Sequence, residues 1–196
     1  MNRKLVLFDF DGTLTQKDSL LEFIAYYKGR RQLYLGFLVN IYRVFRYYLG
    51  KLTNTQLKED ILSHFFEGEP IERFNKAGDD FATHVIPSIL KSNALKTIDQ
   101  YRKNGHRIII VTASCSNWIR AWTDNLGLEL IATELEVSDG KITGKIRGNN
   151  CYGPEKVARI RSYVDVDEYD EIIAYGDSAG DKQMLDMADA SNYRSI

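Results

Sequence analysis

The chain has 196 residues, of which 44% are apolar and 27% are charged, and its formal net charge is −1. This apolar content is sufficient for a buried core, and no stretch approaches the ~20 apolar residues that a membrane-spanning helix needs. Two cysteines are too few for a disulfide framework, and residues 1–4 lead into a strand pattern without a signal-peptide motif. We therefore expect a cytoplasmic protein.

The first predicted strand ends at two acidic residues. Residues 5–8 form an uninterrupted apolar run, which is typical of a strand buried on both faces of a parallel sheet. Asp9 and Asp11 follow, and Gly12 breaks the strand pattern. Ligands bind at the carboxyl ends of strands in open α/β sheets, and two carboxylates one residue apart can hold a Mg²⁺ ion that bridges to a phosphate. A capped turn or a surface acidic pair would explain the same two residues without a function.

Residues 17–85 show helical patterns and no strand pattern. The predicted helices span residues 19–27, 31–49, 53–66 and 70–84. Between Phe23 and Lys58 the sequence has seven basic residues and no acidic one. Because this helical segment follows an acidic strand end, we predict that residues 17–85 form a helical cap domain that acts as a lid.

Strand and helix patterns alternate in the remainder of the chain. Strands are predicted at residues 106–111, 129–132 and 171–175, helices at 94–103, at 117–125 and from Gly153 onward, and a β-hairpin at 136–146. This alternation predicts an α/β fold with a doubly wound parallel sheet. Residues 1–16 and 86–196 would form this core domain.

Polar residues follow the second and third core strands and begin one helix. Thr112 ends the strand at 106–111, with Ser114 as an alternative hydroxyl, and Asp177 and Asp181 follow the strand at 171–175. Lys156 lies at a helix start, where the helix dipole disfavours a cation unless an anion is near. Taken singly, these residues are also explained as a turn threonine, a solvated lysine and a helix-capping acid.

Taken together, four stretches resemble, in order, the four motifs of the haloacid dehalogenase (HAD) superfamily. They are residues 9–15 (Asp-Phe-Asp-Gly-Thr-Leu-Thr), Thr112, Lys156 in Gly-Pro-Glu-Lys, and residues 176–181 (Gly-Asp-Ser-Ala-Gly-Asp). The layout of the whole chain resembles the phosphoserine phosphatase-like branch, subfamily IB. Members of the superfamily are mostly Mg²⁺-dependent phosphohydrolases.

The resemblance implies a role for each motif residue. Asp9 would be the nucleophile that forms an aspartyl phosphate, and Asp11 would protonate the leaving group and then activate water. Thr112 and Lys156 would bind the phosphate. A phosphatase of the HAD type is therefore expected.

The resemblance also implies a metal site. Mg²⁺ would be held by Asp9, the backbone carbonyl of Asp11 and Asp177, with Asp181 orienting a metal-bound water or Lys156 from a second layer. The alternative from another class is a phospho-accepting regulatory domain of the receiver type, which would take one phosphate and not turn over.

The substrate is open between two classes, and the sequence indicates no nucleic-acid partner. Asp18 lies seven residues after Asp11, where similar phosphoserine phosphatases carry a substrate-reading acid, although Asp18 alone would also cap the first helix. Residues 150–156 and the basic, aromatic cap resemble bacterial phosphatidylglycerophosphate phosphatases, so a lipid phosphate is the other candidate. The apolar and basic helix at 31–49 would suit peripheral contact with an anionic membrane, unless it is buried within the cap.

Overall fold

The computed structural model describes residues 3–196 and contains the predicted parallel sheet. Within these residues the sheet has five parallel strands, ordered β3-β2-β1-β6-β7. They are β1 (Lys4–Phe8), β2 (Arg107–Cys115), β3 (Glu129–Thr133), β6 (Glu171–Gly176) and β7 (Ala190–Tyr193), while β4 (Leu135–Ser138) and β5 (Lys141–Ile146) form a separate antiparallel hairpin. The predicted α/β class with a doubly wound sheet is confirmed.

Strand β1 lies at the centre of the sheet because its side chains can be buried on both faces. Its residue Leu7 is paired with Ile109 of β2 on one side and Ala174 of β6 on the other. Val6 and Phe8 belong to one hydrophobic cluster, whereas Leu5 and Leu7 belong to another. The chain order runs outward from β1 in both directions, so the crevice between β1 and β6 is the point where ligands bind in sheets of this kind.

The segment after β1 is helical, as predicted. Its helices are α1 (Ser19–Lys28), α2 (Arg30–Val39), α3 (Ile41–Tyr48), α4 (Asn54–Phe66) and α5 (Ile71–His84). Phe23 of α1 lies at the centre of a group of aromatic rings and stacks on Trp118 with 5.0 Å between ring centroids. Aromatic burial therefore joins this segment to the core of the sheet.

The helix predicted at 31–49 is wrong in one respect, because it is broken at Asn40. Asn40 has φ −92° and ψ 6° and is almost fully buried. Its side-chain amide donates to the carbonyl of Gly36, and its side-chain oxygen accepts from the guanidinium of Arg43. Asparagine side chains compete for backbone groups in this way, and the apolar periodicity of the two helices gave no signal of the break.

The remaining helices cover the two faces of the sheet. They are α6 (Ile86–Ile89), α7 (Ala94–Lys103), α8 (Ser116–Asn125), α9 (Pro154–Tyr163) and α10 (Lys182–Asp186). Helices α5 and α8 meet at Gly78, where an added Cβ atom would lie 1.9 Å from the backbone oxygen of Asn117. Only glycine permits the backbones of α5 and α8 to approach this closely, so Gly78 lets the helical segment pack against α8. Among residues 3–196, no helix is both long enough and apolar enough to cross a membrane.

Candidate active site

The predicted site residues line one cavity of about 480 Å³ at the carboxyl ends of the central strands. Asp9 follows β1, Thr112 lies near the end of β2, and Asp177 follows β6. The cavity brings together all seven residues singled out from the sequence: Asp9, Asp11, Asp18, Thr112, Lys156, Asp177 and Asp181. Residues that are far apart in the chain meet here because parallel strands end at the same edge of the sheet.

Lys156 forms the centre of the site's charge arrangement. Its side chain is 1% exposed, and its Nζ atom donates to Asp9 Oδ1 at 2.6 Å, to Asp181 Oδ1 at 2.6 Å and to the carbonyl of Val111 at 2.8 Å. These three bonds use all three protons of the ammonium group. Burial alone would lower the pKa of Lys156, but the two carboxylates outweigh it and raise that pKa above its usual value. Lys156 therefore stays charged and fixes the position of Asp9.

Asp9 is buried and held by hydrogen bonds rather than solvated. It is 5% exposed, and Thr13 Oγ1 donates to its second carboxylate oxygen at 3.0 Å. Its backbone amide donates to the carbonyl of Tyr175, which continues the pairing of β1 with β6. Burial raises the pKa of Asp9 to about 6, against the opposing charge of Lys156. The carboxylate is ionised at neutral pH and is only weakly hydrated.

A network of hydroxyl groups holds Asp11. Ser19 donates its backbone amide to Asp11 Oδ1 at 2.6 Å, and Ser114 Oγ donates to Asp11 Oδ2 at 2.5 Å. Ser19 Oγ lies 2.9 Å from Ser114 Oγ and accepts from the indole of Trp118. Burial, and next the charge of Asp18, raise the pKa of Asp11 to about 7. Asp11 can therefore both hold and release a proton near neutral pH.

Thr112 and Ser114 have different surroundings. Thr112 is 1% exposed, and its Oγ1 accepts the backbone amide of Ser114 at 3.0 Å, which leaves the hydroxyl proton free to donate. Ser114 Oγ is occupied by Asp11 and Ser19. The role of Thr112 as the hydroxyl for a phosphate oxygen stays a prediction, and Ser114 has a separate contact with Asp11 that sequence reasoning missed.

The acidic groups fit a divalent cation. Carboxylate oxygens of Asp9, Asp177 and Asp181 lie within 4.8 Å of one another. Both oxygens of Asp181 are occupied, one by Lys156 and the other by donors at residues 177–178. Among residues 3–196, the side chain of Asp177 accepts only a long 3.4 Å bond from Thr13, and burial together with Asp181 raises its pKa. A carboxylate short of donors beside another carboxylate is a suitable ligand for a hard cation.

The helical segment lines the opposite side of the cavity. Asp18 is exposed, lines the cavity and also caps α1 by accepting the amide of Leu21 at 3.0 Å, so both roles expected for it are compatible with its position. Lys58 of α4 lines the cavity and donates to the carbonyl of Ala113 and to Asn150. Sequence reasoning counted Lys58 only among the basic residues, because its contacts join segments that are 55 and 92 residues apart.

Comparison with known proteins decides the family. The family model for haloacid dehalogenase-like hydrolases matches residues 6–186. The chain belongs to the HAD-like hydrolases. This HAD-like hydrolase is 36% identical to Protein CicA of Caulobacter vibrioides over 192 residues, which cover 97% of this chain and 85% of CicA. It is 28% identical to a phosphoserine phosphatase of Methanocaldococcus jannaschii over 194 residues, which cover 95% of this chain and 82% of that enzyme.

Solved structures agree with this assignment of the hydrolase. A Bordetella pertussis protein of unknown function matches with a TM-score of 0.81 at 25% identity, covering 97% of this chain and 89% of that protein. A substrate-bound phosphoserine phosphatase matches in fold with a TM-score of 0.72 at 22% identity, covering 98% of this chain and 86% of that enzyme. The predicted superfamily and its phosphoserine phosphatase-like branch are confirmed.

Proposed function

We propose that this HAD-like hydrolase is a Mg²⁺-dependent phosphatase that cleaves a phosphate monoester through an aspartyl phosphate on Asp9. The observation that carries the proposal is the position of Asp9, a buried carboxylate fixed by Lys156 at the end of the central strand and facing the cavity. The family and the phosphoserine phosphatase relative support the same reaction class.

In the first step, a carboxylate oxygen of Asp9 attacks the phosphorus, and the bond between phosphorus and the ester oxygen breaks. Asp11 gives its proton to the departing oxygen, so that an alcohol leaves. A pKa of about 7 allows Asp11 to carry this proton at neutral pH. The hydroxyl of Thr112 would donate to an oxygen of the transferring group.

In the second step, the deprotonated Asp11 takes a proton from water as the water oxygen attacks the same phosphorus. The bond between phosphorus and Asp9 breaks, which releases inorganic phosphate and restores both carboxyl groups. Lys156 keeps Asp9 oriented through both steps by its bond to Oδ1.

Asp9, the backbone carbonyl of Asp11 and Asp177 would hold the Mg²⁺ ion. When bound, the ion supplies positive charge that offsets the repulsion between the carboxylate and the phosphate. Asp181 would act indirectly, because its oxygens are bound to Lys156 and to the turn after β6. Asp181 thus holds Lys156, and Lys156 in turn holds the reacting carboxylate of Asp9.

We further propose that residues 17–85 act as a cap that selects the substrate. Asp18 and Lys58 place opposite charges on the cap side of the cavity, which would suit a small phosphorylated molecule with an amine and an anionic group, such as phosphoserine. A lipid phosphate is the second candidate, favoured by the exposed apolar surface of α2 and α3 described below. The cytoplasmic location stays a prediction.

Hydrolysis of a panel of phosphate esters tests the proposal. Asp9→Asn is expected to abolish turnover and Asp11→Asn to slow it severely, with both variants folded, while excess EDTA stops the wild-type enzyme. Asp99→Asn on α7 is the matched control, since Asp99 is an exposed acid paired with Arg102. Full activity of Asp9→Asn or unchanged activity in EDTA would rule out the mechanism. Uptake of one phosphate without turnover would identify a phospho-accepting regulator instead.

A further inference from the structure

Helices α2 and α3 expose large apolar side chains to solvent. Six residues along the two helices define what we call the outer face, and each is 59–79% exposed: Leu35, Leu38, Val39, Ile41, Phe45 and Tyr48. Single exposed apolar residues are ordinary on protein surfaces, but six of them on two consecutive helices indicate an interaction surface.

The opposite, inner side of the two helices packs against the rest of the protein. Gly36 packs against Phe65 of α4 so closely that an added Cβ would lie 2.1 Å from the ring. Leu33 and Phe37 pack against the hydrophobic core, and Asn40 is buried at the break between the helices. The packing of the two helices on the fold therefore uses their inner side, and the side chains of the outer face stay largely exposed.

The outer face lies on a segment with an excess of positive charge, of which Arg30 and Arg43 are paired with acids of neighbouring helices, Glu22 and Asp60. No acidic residue occurs from Phe23 to Lys58. Within the described part of the chain, Arg31, Arg46 and Lys51 form no ion pair, and Arg46 instead lies over the ring of Tyr42 at 5.9 Å. The apolar side chains suit the acyl chains of a bilayer, and the unpaired cations beside them suit its anionic headgroups.

We propose that the outer face docks α2 and α3 on the surface of an anionic membrane. The apolar side chains would enter the boundary between headgroups and acyl chains, and the basic residues would contact the phosphates. Helix α2 has ten residues and α3 has eight, so each is much shorter than the ~30 Å hydrocarbon layer and the contact is peripheral.

The outer face lies on helices that are joined to a wall of the active-site cavity. Residues 49–53 connect α3 to α4, α3 packs against α4, and Asn54 and Lys58 of α4 line the cavity. If the proposed phosphatase activity holds, on which this step rests, the docked enzyme would receive a phosphate monoester carried by a membrane amphiphile.

A second copy of the chain fits the outer face less well. A two-fold interface places the same patch of both copies together. The unpaired arginines of the two copies would then face each other without an acidic partner in the same segment, and like charges at an interface disfavour association.

Vesicle sedimentation with paired variants tests the apolar part of the proposal. The wild type is expected to sediment with vesicles of phosphatidylglycerol and phosphatidylcholine and to stay in solution with phosphatidylcholine alone. Leu38→Gln/Phe45→Gln should weaken binding by about tenfold or more. Leu95→Gln is the matched control, because Leu95 is 43% exposed on α7, a core helix, and this variant should bind as the wild type does.

The charge-reversal variants test the electrostatic part. Arg31→Glu/Arg46→Glu should also lose about tenfold or more in binding, whereas Lys96→Glu/Lys103→Glu on α7, with the same change in net charge, should keep most of it. High salt should weaken wild-type binding, because surface charges are screened. Equal losses in both pairs would mean that only net charge matters, and would overturn docking through the outer face.

Two further outcomes would overturn the proposal. The first is no sedimentation of the wild type with phosphatidylglycerol vesicles at low salt. The second is a dimer in sedimentation velocity that Leu38→Gln/Phe45→Gln dissociates while vesicle binding is unchanged. Failure of the catalytic proposal can be distinguished from failure of docking. Asp9→Asn should bind vesicles as the wild type does, but it should not hydrolyse the phosphate ester.

Discussion

Replacement of Lys156 by methionine is expected to be the most damaging single change in the site. Lys156 is the buried cation between Asp9 and Asp181, with both carboxylates at 2.6 Å. Methionine replaces the unbranched chain of lysine up to the ammonium group, which it lacks, and so leaves two buried carboxylates facing each other. Removal of one member of a buried ion pair costs about 3–5 kcal/mol, which is roughly a fifth or more of the ~5–15 kcal/mol free energy of unfolding of a typical domain.

The predicted loss depends on pH in a defined direction. Without Lys156, the folded-state pKa of Asp9, which burial already raises, rises further, and the pKa of Asp181, which Lys156 lowers, rises as well. A carboxyl group with a raised folded pKa stabilises the fold at low pH, and this stability is lost as pH rises through the interval from the unfolded to the folded pKa. Lys156→Met should therefore be least stable relative to the wild type above neutral pH and should approach it in mild acid.

Urea unfolding at mildly acidic and mildly alkaline pH measures this effect. Lys182→Met is the matched control, because Lys182 forms an exposed pair with Asp186 on α10, and exposed pairs contribute little to stability. Lys156→Met/Asp181→Asn should recover part of the loss, since the double variant removes one of the facing charges. A loss below about 1 kcal/mol, or one that does not change with pH, would refute the reasoning.

Other predictions concern the proton carrier and the seating of the cap. Ser114→Ala removes a hydrogen bond to ionised Asp11, so it should raise the pKa of Asp11 and move the alkaline limb of the kcat/KM profile to higher pH. Asp18→Asn removes a neighbouring negative charge and should move the same limb to lower pH; shifts in the same direction would contradict this assignment. Gly78→Ala should lower the free energy of unfolding in urea by about 1–3 kcal/mol, because the added methyl group meets the carbonyl of Asn117. An unchanged midpoint would mean that α5 and α8 move apart without loss of stability.

The sequence was sufficient to predict the architecture because the buried strands are uninterrupted apolar runs. Residues 5–8 and the run before Thr112 became β1 and β2, and the polar residues after them reached the same edge of the sheet. Strand β7 was missed, since Ala190–Tyr193 is a short edge strand of small and polar residues whose pairing with β6 supplies its structure.

The contacts between distant segments were beyond sequence reasoning. The hydroxyl of Ser19 meets that of Ser114 across 95 residues, and the indole of Trp118 completes the arrangement around Asp11. The family motif indicates Asp11 but does not show what holds it. Asn40 was similarly hidden, because a break made by one buried side chain leaves the apolar pattern of α2 and α3 unchanged.

Direct capture of the phosphoryl group on Asp9 tests the central claim. Asp11→Asn impairs both steps, but an aryl phosphate with a good leaving group needs no proton in the first step, so acid quenching of this variant during reaction with such an ester should preserve the intermediate. Peptide mapping by mass spectrometry should then find one phosphoryl group on the peptide that contains Asp9, and none when Asp9→Asn is added. A phosphoryl group on another residue, or continued turnover in the doubly substituted protein, would contradict an aspartyl phosphate at Asp9.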